Sequence, residues 1–346
     1  MKLPRGGVEV LLVLGTLLFL LVASLIAEVC IRMFSDINFL GNSENLFVAE
    51  AFGPSKGNAP NVQGMSFGGV VYTDEHGFRV PEGGLPNDAR KSEAIIVLSD
   101  SVGFGPAVEE SDTLAGILRA RFPAKRVYNA SVIGYTTRDY RNFIDAFVPL
   151  HDEVTDVVLV FCLNDVTSRS AARIDWHLEA EAEMETKPEA DLTESLRAVT
   201  LFSAANDFLR SRSKFYLQFK YRLLGTQRRG WELVSSVYAP GREADLAASL
   251  EDVGAIAANL KTRGISFVVV LSPYWYQLEN PEDPATQVPQ RKLGEQLAAM
   301  GVKTVDARPY FYEPPMTAYF LPFDPVHLSK EGHRVMANAI TRSLAD

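Results

Sequence analysis

Residues 95–105 read IIVLSDSVGFG. Four apolar residues, Ile95 to Leu98, have the continuous pattern of a strand buried on both faces. A polar break, Ser99-Asp100-Ser101, follows, and a helical pattern begins from about Ser111. A serine at the end of a buried strand, on the turn into a helix, is where an α/β sheet presents a nucleophile. A serine hydroxyl is a weak nucleophile at neutral pH. It needs a base, a group that orients the base, and donors for the developing oxyanion. The rest of the chain is searched for these.

Outward from that stretch, apolar strands alternate with helical patterns. Thr113–Phe122 has helical spacing, with Asp112 or Ser111 as the cap. Arg126–Asn129 reads as a strand, Arg138–Leu150 as a helix, and Val157–Leu163 as a buried strand. Glu243–Arg263 is a long amphipathic helix ending at Gly264, and Ser266–Leu271 a further buried strand. Gln290–Met300 is a helix stopped by Gly301, Val302–Val305 a short strand, and Ser329–Leu344 a last helix. Five such strands predict a flavodoxin-like, doubly wound parallel sheet with helices on both faces, whose ligands bind at the strands' carboxyl ends. Between Val166 and about Arg242 the alternation fails. Leu178–Glu194 is acidic and Phe208–Arg229 is basic and aromatic, so this stretch reads as a mainly helical insertion placed to cap the site. Its charge blocks read first as solvated helix faces; contact with lipid headgroups or a partner is the other reading.

The 346 residues, 47% apolar and 22% charged, give a globular chain with ample core. A net charge of −9 without a basic tail argues against nucleic acid as a partner. Two cysteines, Cys30 and Cys162, make no disulfide framework and read as small buried apolar residues. Val10 to Ala27 carries no charge and spans about 27 Å at roughly 1.5 Å per helical residue. Lys2 and Arg5 precede it, which favours a single-pass signal anchor with the bulk of the chain on the far side of the cytoplasmic membrane. A cleaved signal peptide and a buried core helix are the rival readings. The expected organisation is an anchor at 1–34, a juxtamembrane linker and β lead-in at 35–90, and an α/β domain at 91–346 with its insertion at about 166–242.

Near the C-terminus stands Asp324-Pro325-Val326-His327, just before the last helix. Three-residue spacing on a loop allows the two side chains to face one way, as base and orienter. Alternatively Asp324 caps a turn and His327 is a surface residue. Candidate oxyanion donors are the backbone N–H of Ser101, the backbone of Gly134 after the second strand, and the Asn164 side chain at the end of the third. Gly134 also reads as a turn glycine, and Asn164-Asp165 as a strand-end cap. His333 falls on the last helix and reads as structural, and His76, His151 and His177 have no motif around them. No cluster has metal-ligand spacing and no glycine loop suits a nucleotide, so no cofactor is expected.

Taken together, these blocks resemble the GDSL/SGNH hydrolase family. Ser99-Asp100-Ser101 stands for Gly-Asp-Ser, Asn129–Gly134 for the glycine block, Leu163-Asn164-Asp165 for Gly-x-Asn-Asp, and Asp324-x-x-His327 for Asp-x-x-His. HGFRVPEGG, residues 76–84, resembles the lead-in of membrane-anchored bacterial members, and HLSKEGHRVMANAI the family's last helix. The resemblance covers roughly residues 70–165 and 260–346. It implies Ser101 as nucleophile, His327 as general base, Asp324 as its orienter, and Ser101, Gly134 and Asn164 as the oxyanion hole. The chain departs from the family at Ser99 and Cys162, where glycines are usual. The expected activity is that of a membrane-anchored serine esterase or O-acyltransferase acting on acyl, mainly acetyl, esters of cell-envelope or exported glycans. The alternative is a catalytically degenerate accessory subunit of a membrane protein complex.

Overall fold

A computed structural model of the chain describes residues 5–34, 41–85, 92–166, 208–209, 212–224 and 226–345. The acidic block at 178–194 and His177 lie outside the described residues. The chain divides into two units, one of residues 1–40 with 189–225 and one of residues 41–188 with 226–346.

The first unit holds helix α1 (Arg5–Phe34). Within it Leu12–Phe34 is long and apolar enough to cross a membrane, with a mean hydropathy of 2.5 and its apolar side chains exposed.

The second unit is built on an eight-stranded sheet. Its parallel half contains β6 (Ala94–Ser99), β7 (Arg126–Asn129), β8 (Val154–Phe161), β9 (Ser266–Leu271) and β10 (Lys303–Asp306). They lie in the order β10-β9-β8-β6-β7, the doubly wound order expected. Every residue of β6 is buried, as its unbroken apolar run requires. The crossovers are α3 (Leu114–Arg121), α4 (Thr137–Phe147), α7 (Glu243–Thr262) and, after the short α8 (Trp275–Glu279), α9 (Pro284–Ala299), and α10 (Lys330–Ala345) is the last helix. Thr113, not Asp112 or Ser111, caps α3: its hydroxyl accepts the Gly116 N–H at 3.2 Å. The α9 helix begins six residues earlier than Gln290, because Asp283 caps it and Pro284 sits where no N–H is needed.

The stretch read as a linker folds, within residues 41–66, into a hairpin, β1 (Phe47–Phe52) and β2 (Ser55–Asn58), and into β3 (Gln63–Ser66), and the β lead-in after it forms β4 (Gly69–Thr73) and β5 (Arg79–Val80). The last three extend the main sheet antiparallel beyond β7. The glycines and prolines that resemble linker punctuation are the turns between very short strands. From the insertion, α5 (Lys214–Leu224) belongs to the first unit, and α6 (Thr226–Ser236) to the second.

Candidate active site

The end of β6 is held by its own side chains. Asp100 caps the four-residue helix α2 (Ser101–Phe104), its Oδ1 accepting the Val102 N–H at 2.8 Å. Ser101 is the first residue of α2 and is 8% exposed. Gly105 ends α2 in the left-handed conformation, φ 74°, where a Cβ would meet Thr113 Cγ2 at 2.8 Å and His333 Nε2 at 3.0 Å. The carbonyls at that end are gathered by a buried cation. Arg79, on β5, donates to the carbonyl oxygens of Phe104, Gly105 and Val108. Burial pulls its guanidinium down to about 10, against Glu110 and Glu109, so it stays charged at neutral pH.

The base arrives from the loop before α10. His327 Nε2 lies 2.9 Å from Ser101 Oγ, and its Nδ1 lies 2.7 Å from Asp324 Oδ2. Asp324 Oδ1 also accepts the backbone N–H groups of Val326 (2.9 Å) and His327 (2.8 Å). These partners assign the proton of the neutral ring to Nδ1 and leave Nε2 to accept from the serine. Burial opposes charge on Asp324, but His327 and the two N–H groups outweigh it and hold the carboxyl below its ordinary value. Burial likewise pulls His327 down, and the charges of Asp324 and Asp100 outweigh it and raise the imidazole. The Phe67 ring stands edge-on to His327, centroids 5.1 Å apart. Phe67 sits at φ 48°, and Phe323, next to Asp324, at φ 62°. Two bulky residues in the left-handed region therefore flank the acid–base pair, a strained arrangement of the kind found at functional sites.

The donor candidates stand at strand ends. Asn164 follows β8 on a short turn. Its Oδ1 accepts from Tyr274 Oη at 3.1 Å, and its side chain hydrogen-bonds Asp100. Gly134 follows β7 in an exposed turn at φ 76°, closed by the Tyr135 N–H to the Val132 carbonyl at 3.1 Å. Asp165 points away into the core, where Oδ2 accepts from Tyr140 Oη at 2.9 Å and the Cys162 N–H at 2.8 Å. Burial, and then the charge of Asp100, push its carboxyl well above the ordinary range.

Both departures from the family pattern are absorbed by packing. Ser99 Oγ donates to the Val160 carbonyl at 2.7 Å and accepts the Gly103 N–H at 3.1 Å. Gly103 makes room for it, since a Cβ there would come within 2.4 Å of Ser99 Cβ. Cys162 is buried and closes the turn that presents Asn164. His333 is structural: its Nδ1 accepts the Leu114 N–H at 3.2 Å, and burial, with Arg79 and His327 nearby, lowers it to about 3. His151 stacks on Phe147 and His76 packs against both, away from Ser101's hydrogen bonds. Among the described residues no group of His, Cys, Asp and Glu is arranged to hold a metal ion.

Sequence reasoning brings together Ser101, Asp324 and His327 and misses their supports. Arg79 lies in the lead-in motif, but its role needs the β5–β7 pairing. Phe67 sits at a hairpin tip, and Tyr274 after β9 opens an aromatic run, Tyr274-Trp275-Tyr276, that shows no spacing pattern. Tyr274 joins two parts of the site, because the neighbouring Trp275 N–H donates to the Pro325 carbonyl at 2.9 Å. From the insertion, Gly230 of α6 lies against Pro325, where an added Cβ would be 3.4 Å from Cγ, and Trp231 stacks on Tyr276.

No family model matches the sequence, and no curated protein matches it. Solved structures do resemble the fold. A lipase/acylhydrolase from Enterococcus faecalis is 15% identical, with 73% of this chain and 95% of that chain covered at a TM-score of 0.41. A member of the lipolytic G-D-S-L family from Veillonella parvula is 14% identical, covering 72% and 97% at 0.39. An acetylxylan esterase from Geobacillus stearothermophilus, as a catalytic mutant, is 17% identical, covering 73% and 94% at 0.42. The chain's own strand order is that of a flavodoxin-like, doubly wound sheet, with the Ser101, Gly134 and Asn164 blocks at or just after strand ends and the Asp324–His327 block on the loop before the last helix.

Proposed function

We propose that this chain is a serine esterase or O-acyltransferase of SGNH type, anchored by α1 and acting outside the cytoplasmic membrane. The observation that carries the reading is the continuous hydrogen-bonded line from Ser101 Oγ through His327 to Asp324, at 2.9 and 2.7 Å. His327 Nε2 takes the serine proton as Oγ attacks the ester carbonyl, and Asp324 stabilises the imidazolium that forms. The oxyanion is received by the Ser101 and Gly134 N–H groups and the Asn164 side-chain amide. His327 returns the proton to the leaving alkoxide, which departs as an alcohol. The acyl-enzyme then passes its acyl group to water or a sugar hydroxyl, with His327 again acting as base. Acetyl esters of cell-envelope or exported glycans are the favoured substrates, a choice that the apolar helix α1, read as an anchor, supports. The alternative of a silent accessory subunit draws on Ser99 and Cys162, and both side chains fit without displacing the serine–histidine contact.

The test is acyl release from nitrophenyl acetate, with labelling by a fluorophosphonate probe. Wild type hydrolyses the ester and takes the label, and Ser101→Ala does neither. Equal slowness of the two proteins, with no label on either, overturns the enzyme reading.

A further inference from the structure

Helix α1 ends its uncharged run at Ala27, and the next residue is Glu28. A carboxylate at that depth needs partners. Here α5 supplies them. Glu28 Oε2 accepts from Ser213 Oγ and from the Phe215 N–H, both at 2.8 Å, and Oε1 accepts the Lys214 N–H at 3.1 Å. One turn on, Arg32 donates to Glu28 Oε1 and to the Arg212 carbonyl, each at 2.6 Å. A side chain of the apolar helix thus caps the N–H groups of Lys214 and Phe215 at the start of α5. The start of α5 is fixed at the level where the apolar helix stops being uncharged.

The composition of α5 suits that level. Residues 212–222, RSKFYLQFKYR, carry Arg212, Lys214, Lys220 and Arg222 and no acid, in a chain whose net charge is −9. Aromatic side chains stand outward beside the cations. Phe208 is 57% exposed under the Arg212 guanidinium, which lies 4.5 Å from its ring centroid, and Phe219 is 54% exposed, with its ring 6.3 Å from that of Phe215. Exposed aromatics among cations, at the boundary of an apolar span, are the signature of a helix lying in the headgroup layer. Charge complementarity selects anionic phospholipid as the occupant.

We propose that α5 lies in the headgroup layer at the C-terminal end of α1 and binds anionic phospholipid, with Glu28 as the clamp that sets its depth. This rests on the reading of α1 as a membrane anchor.

The test uses the full chain with Cys30→Ser and Phe219→Cys, carrying an environment-sensitive fluorophore; Cys162 is buried and escapes labelling. The protein is placed in nanodiscs of phosphatidylcholine alone, or of equal parts phosphatidylcholine and phosphatidylglycerol. With phosphatidylglycerol the emission shifts to the blue and acrylamide quenching falls about threefold, and high salt reverses both. Lys214→Gln with Lys220→Gln, and separately Glu28→Gln, abolish the lipid dependence. A label equally exposed in both discs overturns the proposal. A label equally shielded in both overturns it too, and points to protein covering α5. Failure of the chain to enter nanodiscs refutes the anchor reading instead, and fluorophosphonate labelling of Ser101 reports the esterase reading separately.

Discussion

Tyr274 donates its hydroxyl hydrogen to Asn164 Oδ1 at 3.1 Å. That bond fixes which end of the Asn164 amide is the oxygen, and so leaves the nitrogen for Asp100. An oxyanion donor has to be aimed before the reaction, since its value lies in needing no reorganisation. Tyr274 is buried, and its ring packs 6.3 Å from Trp231, so the phenol has little freedom of its own.

Tyr274→Phe keeps the ring and removes the aim. The expected result is a fall in kcat of about tenfold with KM unchanged, smaller than the roughly hundredfold or greater loss for Asn164→Ala. Steady-state hydrolysis of a nitrophenyl ester separates the two constants. An unchanged kcat shows that Asn164 is oriented by something else.

The acid limb of the pH profile follows His327. Only the neutral ring can accept the serine proton, so activity is lost as pH falls through the histidine's value. Burial pulls that value down, but Asp324 and Asp100 raise it above 6.5, and the midpoint is expected above pH 6.5. Asp100→Asn keeps an oxygen for the Val102 N–H and removes one of the two charges, so the limb moves to lower pH. A limb that stays in place shows that Asp100's charge is not felt at the ring.

Ser99→Gly tests whether the departure from the family pattern matters to activity. It removes the bonds to the Val160 carbonyl and the Gly103 N–H, and the expected loss in urea denaturation is about 2 kcal/mol. The hydroxyl touches no reacting atom, so kcat/KM is expected to change by less than about threefold.

Arg79→Met removes the donor shared by the three carbonyls and leaves them buried. A destabilisation of about 3 kcal/mol or more is expected in urea denaturation. Arg79→Lys recovers little of it, because an ammonium lacks the planar fork that reaches all three. Stability equal to wild type in Arg79→Met shows that water replaces the guanidinium.

The sheet was legible because the core strands β6, β8 and β9 are long apolar runs, and the Ser101–His327–Asp324 line because each member sits in a motif of fixed spacing. The stretch before the lead-in was not. β1, β2 and β3 are only 6, 4 and 4 residues long, and strands so short show little periodicity. Arg79 and Tyr274 were invisible for a different reason. Each acts across the sheet on backbone or side chains far away in sequence, Tyr274 reaching Asn164 over 110 residues. Pairing of that kind is a product of packing, and a single sequence shows only the partners separately.

Ser101 and His327 are 226 residues apart in the chain. A polypeptide truncated anywhere between them therefore carries the serine turn but no group to take its proton. On the esterase reading, a growing chain is chemically mute throughout its synthesis. Competence comes only when the loop that carries His327 docks against an already assembled sheet.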